Sequence, residues 1–360
     1  MSLFSKKSFV GIDLGHYSIK AVQIERSVTG WKVTKSASIP TPSDCIKDGV
    51  VVDSMAVTAA VKQLLRESGI HATNAHIAVS GGSVVVRTVR IPKMPEATLR
   101  KSIKFEASRY VPSSVEDSYV EFEILGDADE TQMDVMVVAA PKDIVESRVQ
   151  ACEAAGLEIE SVDVQAFAMY RSLIEADKEH DWSTSTIAMV DIGASMTNVS
   201  VIQKGMFSMT RSIPNGGNVL TEALKNYFKL SDEDAEAGKA QLNVADLIDA
   251  EKPKENPPLR VLQPHLDDLI REIRRSLNYY QSQLGDTAAD KQVTHVMITG
   301  GGAKLPGLAE YAEHKLGIKT VAAHVFENPR FIHADSEMEC DGFDLSIASG
   351  LAMRAFAKAA

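Results

Sequence analysis

The segment Gly11-Ile12-Asp13-Leu14-Gly15 has a counterpart in Met189-Val190-Asp191-Ile192-Gly193, and Asp191 follows Asp13 by 178 positions in a chain of 360 residues. In both places an apolar run enters the Asp-apolar-Gly unit and a second apolar run leaves it after a few small or polar residues. That is the pattern of strand, tight turn, strand. A single turn of this kind is explained by hairpin conformation alone. Two copies at half-chain spacing point to duplication of one hairpin, hence to two similar halves that face each other.

Two facing turns can hold one ligand between them. Backbone N–H groups at a glycine turn can approach a phosphate chain closely, and Gly15 and Gly193 supply that closeness. Aspartate repels phosphate but can carry a hydrated Mg²⁺ that binds it, since this cation takes one or two carboxylates plus waters and phosphate oxygens. Asp13 and Asp191 are the candidates. A third glycine element, Gly300-Gly301-Gly302, follows a predicted strand (293–298) and precedes a predicted helix (308–316), where a helix start and a flexible turn can meet phosphate or nucleoside. It matches neither G-x-G-x-x-G nor G-x-x-x-x-G-K-[ST], so the dinucleotide and P-loop folds are disfavoured.

Composition narrows the classes. A chain beyond roughly 250–300 residues divides its core, so two domains are expected. With 44% hydrophobic and 24% charged residues the chain reads as water-soluble and globular. A formal charge of −11 argues against non-specific binding to nucleic acid or anionic membrane. Cys45, Cys152 and Cys340 stand apart without metal or disulfide spacing, which suits a reducing cytoplasm. No signal-peptide core and no apolar run of about 18–20 residues occurs. Between the repeats, periodicity predicts a helix over 54–68, a strand over 75–80 and an extended segment over 84–91. A helix over 96–110, a hairpin (119–125 with 134–140) and a helix over 141–155 follow, a compact insert. Residues 249–258, rich in Pro, Lys and Glu, predict a mobile loop, followed by a helix over 264–284. The last predicted helix covers 346–357.

These motifs, in this order, resemble the actin, Hsp70 and hexokinase ATPase superfamily. Within it the chain is similar to the PilM family of type IV pilus assembly proteins, on the FtsA-like branch. The carrying residues are Gly11–Gly15 with Ser18 and Lys20, Phe105–Ala107 with Tyr110–Pro112, Asp191–Ala194, Ile213–Asn218 with Leu220-Thr221, Ala235-Glu236 with Lys239, and Gly300–Leu308. The resemblance implies an α/β actin-like ATPase fold of two duplicated ribonuclease-H-like lobes with an FtsA-type inserted subdomain. It divides the chain into a first lobe (1–83 and 156–185), the insert (84–155), a second lobe (186–213 and 291–345) carrying a subdomain (214–290), and a C-terminal helix (346–360) returning to the first lobe.

It also implies ATP and Mg²⁺ as ligands. Asp13, Gly15, Ser18 and Lys20 would form the first phosphate turn, and Asp191, Gly193, Ala194 and Thr197 the second. Gly216, Gly217, Glu236, Lys239, Gly300, Gly301, Gly302 and Arg275 would line the remainder of the nucleotide. Taken alone, Glu236 and Lys239 are equally explained as a helical ion pair. Gln165 falls where the superfamily positions the attacking water; an amide is a poor general base, so turnover would be slow.

By the same resemblance, a groove between insert and first lobe takes the N-terminal cytoplasmic peptide of PilN, an inner-membrane partner, in a system that serves twitching motility and competence. The chain ends after its last domain helix without an amphipathic tail, so recruitment to the inner membrane through partners is expected. Two other readings stay open. One is a small-molecule kinase of the same superfamily, with Asp163 as base; the other is an FtsA-like division or cytoskeletal protein.

Overall fold

The apolar run that opens the chain lies inside a six-stranded sheet. In the computed structural model, which describes residues 9–111, 114–249, 251–282, 292–333 and 341–356, β1 (Phe9–Leu14) turns back into β2 (Ser18–Arg26) and then β3 (Trp31–Pro40). A short ribbon, β4 (Ile46–Lys47) and β5 (Val50–Val51), leads to α1 (Ser54–Ser68). The Asp53 carboxylate caps this helix by accepting from Ala56 N, and Gly69 ends it in the left-handed region. Strand β6 (Asn74–Val79) then joins β1 in parallel.

The chain leaves the first sheet for β7 (Val85–Pro92), α2 (Glu96–Ala107), β8 (Ser118–Asp127) and β9 (Gln132–Pro141). It comes back through α3 (Lys142–Ala154), β10 (Glu158–Val164) and α4 (Gln165–Tyr170). Leu99, Ile103 and Ala107 of α2 pack on Val89, Ile91, Val135 and Val137, giving the insert a core of its own. Helix α3 contributes elsewhere: Ala151 and Cys152 are buried in the core of the first lobe with Val57, Val61 and Ile77.

The second half repeats the plan with β11 (Thr186–Ile192), β12 (Thr197–Gln203) and β13 (Met206–Ile213). Four helices follow: α5 (Gly217–Phe228), α6 (Asp232–Ala240), α7 (Lys252–Glu255) and α8 (Pro257–Ser282). The chain then runs through β14 (Val293–Thr299), α9 (Leu308–Leu316), β15 (Lys319–Ala322), β16 (Phe331–His333) and α10 (Ser346–Arg354). The duplication is therefore topological. The orders β3-β2-β1-β6-β10 and β13-β12-β11-β14-β15 are the same, antiparallel through the hairpins and parallel beyond them. Strand β16 adds to the edge of the first sheet beside β3, and β7 meets β13 at the Arg87–Met209 pair, so the insert prolongs the second sheet to eight strands.

Between the lobes, α4 and α10 fill a shared core with Val22, Ala78, Ile187, Met189 and Met297. The fit there leaves no room for side chains: a Cβ on Gly350 of α10 would fall inside van der Waals contact with the Ala168 carbonyl of α4.

Residues 252–255 and 257–258 are helical where the sequence predicts a loop. Pro257 and Pro258 occupy the first turn of α8, where a missing N–H costs nothing, and Pro253 sits at the start of α7. Helix α8 consequently starts seven residues before Pro264 and runs through it. Its buried stripe, Leu259, Leu262, Leu266, Leu269, Ile270, Ile273 and Leu277, contributes about 1.5–3 kcal/mol per side chain, enough to outweigh a proline within the helix. Strands β3, β10 and β13 are not anticipated by the sequence reading, and α2 stops at Ala107. Cys45 and Cys152 are buried free thiols. Cys340, the expected C-terminal end of the 264–284 helix and Ala357 lie outside the described residues.

The α4–α10 contact gives a stability test. Gly350→Ala is expected to destabilise the protein by about 1–3 kcal/mol through overpacking against backbone. Urea unfolding checks it, and an unchanged midpoint would contradict the contact.

Candidate functional site

Because both sheets place their first hairpin at the same position, the two turns open onto one interlobe cleft. Its cavity is about 300 Å³. Asp13 and Asp191 occupy equivalent register positions, Asp13 opposite Lys20 and Asp191 opposite Asn198. Both carboxylates are buried, at 3% and 7% exposure.

The first turn is tightly wired. Lys20 Nζ donates to Asp13 Oδ2 at 3.2 Å, and Gln165 Nε2, at the start of α4, donates to Asp13 Oδ1 at 3.0 Å. Burial works against the Lys20 ammonium, but the charges of Asp13, Asp344 and Asp191 more than offset it and raise its pKa. The second turn has an amide instead of an ammonium: Asn198 Nδ2 reaches Asp191 Oδ2 at 3.5 Å. Burial first, and then the Asp13 charge, push the Asp191 carboxyl up to about 6.

The wall beyond the second turn joins three segments. Gly217 N and Asn218 N, opening α5, donate to the carbonyls of Gly193 and Ala194 at 2.9 and 2.8 Å. Lys239 Nζ donates to Glu236 Oε2 at 2.7 Å and to Thr221 Oγ1 at 2.8 Å, while the Thr221 hydroxyl donates to the same carboxylate at 2.6 Å. Leu266 and Leu269 of α8 add an apolar surface. Gly300 packs so closely on the Asp191 carboxylate that a Cβ would overlap Oδ1, and its φ of +83° also favours glycine.

On the floor, Ser346 opens α10 and Asp344 pairs with Lys304. Arg148, only 1% exposed, reaches the underside of the first turn from α3. Burial, then the Arg148 charge, lowers the pKa of His16 below its ordinary value, so the ring is neutral at pH 7.

Of the residues singled out in the sequence, Asp13, Gly15, Ser18, Lys20, Gln165, Asp191, Gly193, Ala194, Gly217, Glu236, Lys239, Gly300, Gly301 and Gly302 line this cleft. Three do not. Thr197 points into the protein, fully buried, its hydroxyl donating to Asn215 O at 2.7 Å. Gly216 lies behind the wall, against the carbonyls of Gly193 and Ala194. Arg275 lies on the outer face of α8, paired with Glu272 at 2.8 Å. Asp163 is likewise removed from the cleft: its carboxylate is buried and ion-paired with Arg171 and Arg354, so it is not free to act as a base. Arg148, Asn198, Asn218, Lys304 and Asp344 line the cleft without having been anticipated. Asn198 had a signal in the repeat, since it stands 178 positions after Lys20, and Asn218 and Lys304 lie inside motifs named above.

The donor set suits a metal-bound nucleotide. Two facing carboxylates, a lysine and glycine turns fit a hydrated Mg²⁺ with phosphate. At Gly15 a Cβ would come within 2.7 Å of Ser18 O, so the turn leaves space only for backbone. The glycine strip beside Leu266 and Leu269 offers a flat, partly apolar bed of the kind a nucleoside fits.

Comparison with known proteins agrees with this architecture. A family profile described as "Type IV pilus assembly protein PilM" matches residues 11–356. The solved "PilM-PilN type IV pilus biogenesis complex" superposes with a TM-score of 0.82 and 26% identity, covering 96% of this chain and 97% of that one. Cell division protein FtsA of Streptococcus pneumoniae serotype 2 (strain D39 / NCTC 7466) is 22% identical over 93% of this chain and 80% of its own length. MreB 5 of Spiroplasma citri, solved bound to AMPPNP, gives a TM-score of 0.52 at 13% identity, covering 89% of this chain and 92% of that one. The fold is thus the actin-like ATPase fold.

The raised pKa of Asp191 has a measurable sign. A carboxyl at about 6 in the folded protein, against an ordinary 3.8, holds its proton more tightly folded than unfolded. Stability is highest below 3.8, falls as the pH rises towards 6, and is lower by a constant amount above it. In metal-free buffer Asp191→Asn is therefore expected to exceed the parent protein by about 2–3 kcal/mol at pH 8, the gap closing near pH 4. Urea unfolding across this range checks it; no gap at pH 8 would contradict the burial of this charge.

Proposed function

The chain belongs to the type IV pilus assembly protein PilM family, and from that membership we propose that it is a cytoplasmic, ATP-binding component of the inner-membrane platform that assembles type IV pili. It docks the N-terminal peptide of PilN in a groove between the 84–155 insert and the first lobe. The observation that carries this reading is the likeness, over nearly the whole of both chains, to a solved complex of a PilM with a PilN. No described helix is long and apolar enough to cross a membrane, which is consistent with attachment through such a partner.

In this reading, Asp13 and Asp191 hold hydrated Mg²⁺ from opposite lobes, and the Gly15 and Gly193 turns receive the phosphates. Bound Mg²⁺ would neutralise phosphate charge. The chain's own residues supply the remainder. Lys20 pairs with Asp13 and adds positive charge; Gln165, tied to Asp13, keeps its carbonyl oxygen available to orient a water. The adenosine end rests along Gly300–Gly302, flanked by Glu236 and Lys239. The Glu236 carboxylate already accepts from Thr221 and Lys239, which fixes its position. With an amide in place of a general base, hydrolysis is slow and the nucleotide serves chiefly to set the relation between the lobes. An AMPPNP-bound protein of the same fold supports a nucleotide in this cleft.

Neither alternative gains a specific observation. A kinase needs a free carboxylate base, and Asp163 is committed to two arginines. The likeness to FtsA, at 22% identity, extends to fold.

Two measurements test the proposal. A synthetic peptide covering the cytoplasmic N terminus of the cognate PilN is expected to bind the purified protein in calorimetry; no binding with or without Mg·ATP would remove the docking role. Asp13→Ala strips Lys20 and Gln165 of their shared partner and is expected to weaken Mg·ATP by roughly ten-fold or more. Unchanged affinity would refute the metal-holding role of Asp13.

A further inference from the structure

Arg148 is the most deeply buried large side chain of the first lobe that carries a charge. Among the described residues no carboxylate pairs with it. Its hydrogen bonds go to three main-chain carbonyls from separate parts of the lobe: Nε to Gly49 O at 2.8 Å, Nη1 to Leu14 O at 3.1 Å and Nη1 to Ala78 O at 3.2 Å. These engage Nε and Nη1 of the guanidinium. Nη2 makes no hydrogen bond to a described residue, and the side chain lines the cleft together with Leu14, Gly15, His16 and Ser80.

Burying a guanidinium without a counter-ion is costly, and a chain that only needed to tie three carbonyls together could do so without a full charge. The charge is placed below the turn whose glycine leaves room for phosphate. The neighbouring imidazole of His16 is neutral, and the Asp13 carboxylate is already occupied by Lys20 and Gln165. A buried cation that lines the cleft with its Nη2 group unused is an incomplete anion site.

We propose that Arg148 is a ligand of the terminal phosphate of the bound nucleoside triphosphate, so that the cleft distinguishes triphosphate from diphosphate through α3. This rests on the nucleotide reading above and goes beyond it by assigning the group that reads the phosphate number. Guanidinium is suited to the task because its rigid plane can hold three carbonyls with Nε and Nη1 while Nη2 still donates to phosphate oxygen.

The consequence reaches the insert. Helix α3 follows β9 of the insert with no residue between them, Pro141 ending one and Lys142 starting the other. The helix is also fastened to the first lobe beside Arg148, where Ser147 Oγ accepts from Val51 N and Ala151 O accepts from the Thr58 hydroxyl. A phosphate held by Arg148 therefore ties the first turn to the helix on which the insert is mounted, and loss of that phosphate releases one end of the tie.

The test compares ATP with ADP. In calorimetry with Mg²⁺, Arg148→Lys and Arg148→Met are expected to weaken ATP by roughly ten- to hundred-fold while changing ADP by less than about three-fold. Thermal unfolding without nucleotide reports whether each variant is folded. Equal losses for both nucleotides in a folded variant, or no loss, overturn the assignment. Should neither variant fold, hydrogen exchange on the unaltered protein decides. Amides of residues 142–154 are expected to be protected more by Mg·ATP than by Mg·ADP, and equal protection overturns it. If the unaltered protein takes neither nucleotide, the parent reading falls as well; if it takes both and the ATP-to-ADP ratio is insensitive to Arg148, this inference alone falls.

Discussion

Two carboxylates of like charge, buried on opposite sides of one cleft, set the terms for the remainder of the molecule. Left alone, such a pair opposes closure of the lobes: burial raises the Asp191 carboxyl to about 6, and the Asp13 charge adds to that rise. The protein offsets it unequally. Asp13 receives an ammonium and an amide, whereas Asp191 receives one distant amide from Asn198. One lobe is therefore electrostatically complete and the other needs a cation, which matches a cleft that closes on a metal-bound anion and relaxes without it.

Holding the carboxylates in place is the work of the fold. Their equivalence comes from identical sheet order and register in the two lobes, and their separation is governed by α4 and α10, wedged between the sheets with glycine against carbonyl. Gln165 opens α4 and Ser346 opens α10, so both interlobe helices begin at the cleft floor, and α5 begins at its wall. Three helix starts contribute partial positive charge beside the carboxylates of Asp13, Asp191 and Asp344. The cleft thus favours an anion through its backbone while its carboxylates favour a cation, a combination suited to both arriving together.

The sequence exposed what repeats and concealed what converges. Asp13 and Asp191 could be read from spacing because the duplication preserved their residue type. Asn198 could not be read from chemistry, since an amide stands where the first copy has Lys20, and Thr197 drew attention in its place although strand alternation turns it inward. Arg275 belongs to the polar face of α8, opposite the leucine stripe, so helical periodicity already assigned it to the exterior. Arg148 and Asp344 carried no local signal. The partners of Arg148 lie 134, 99 and 70 positions away, and only the folded chain brings them together. The proline-rich segment before α8 misled for a related reason: proline marks either a loop or a helix start, and only the buried stripe that follows decides between them.

The insert raises a mechanical question that its two attachments answer. At one end β7 meets β13 of the second lobe at the Arg87–Met209 pair, and Val86 and Met136 are buried in one core with Ile187, Ile202 and Phe207. At the other, α3 is fastened to the first lobe by buried apolar residues and by the carbonyl bonds of Arg148. The insert is therefore packed against both lobes, and a displacement of one lobe against the other would strain one of its two attachments. An inserted body held in this way is a suitable element to report the state of the cleft at a distance.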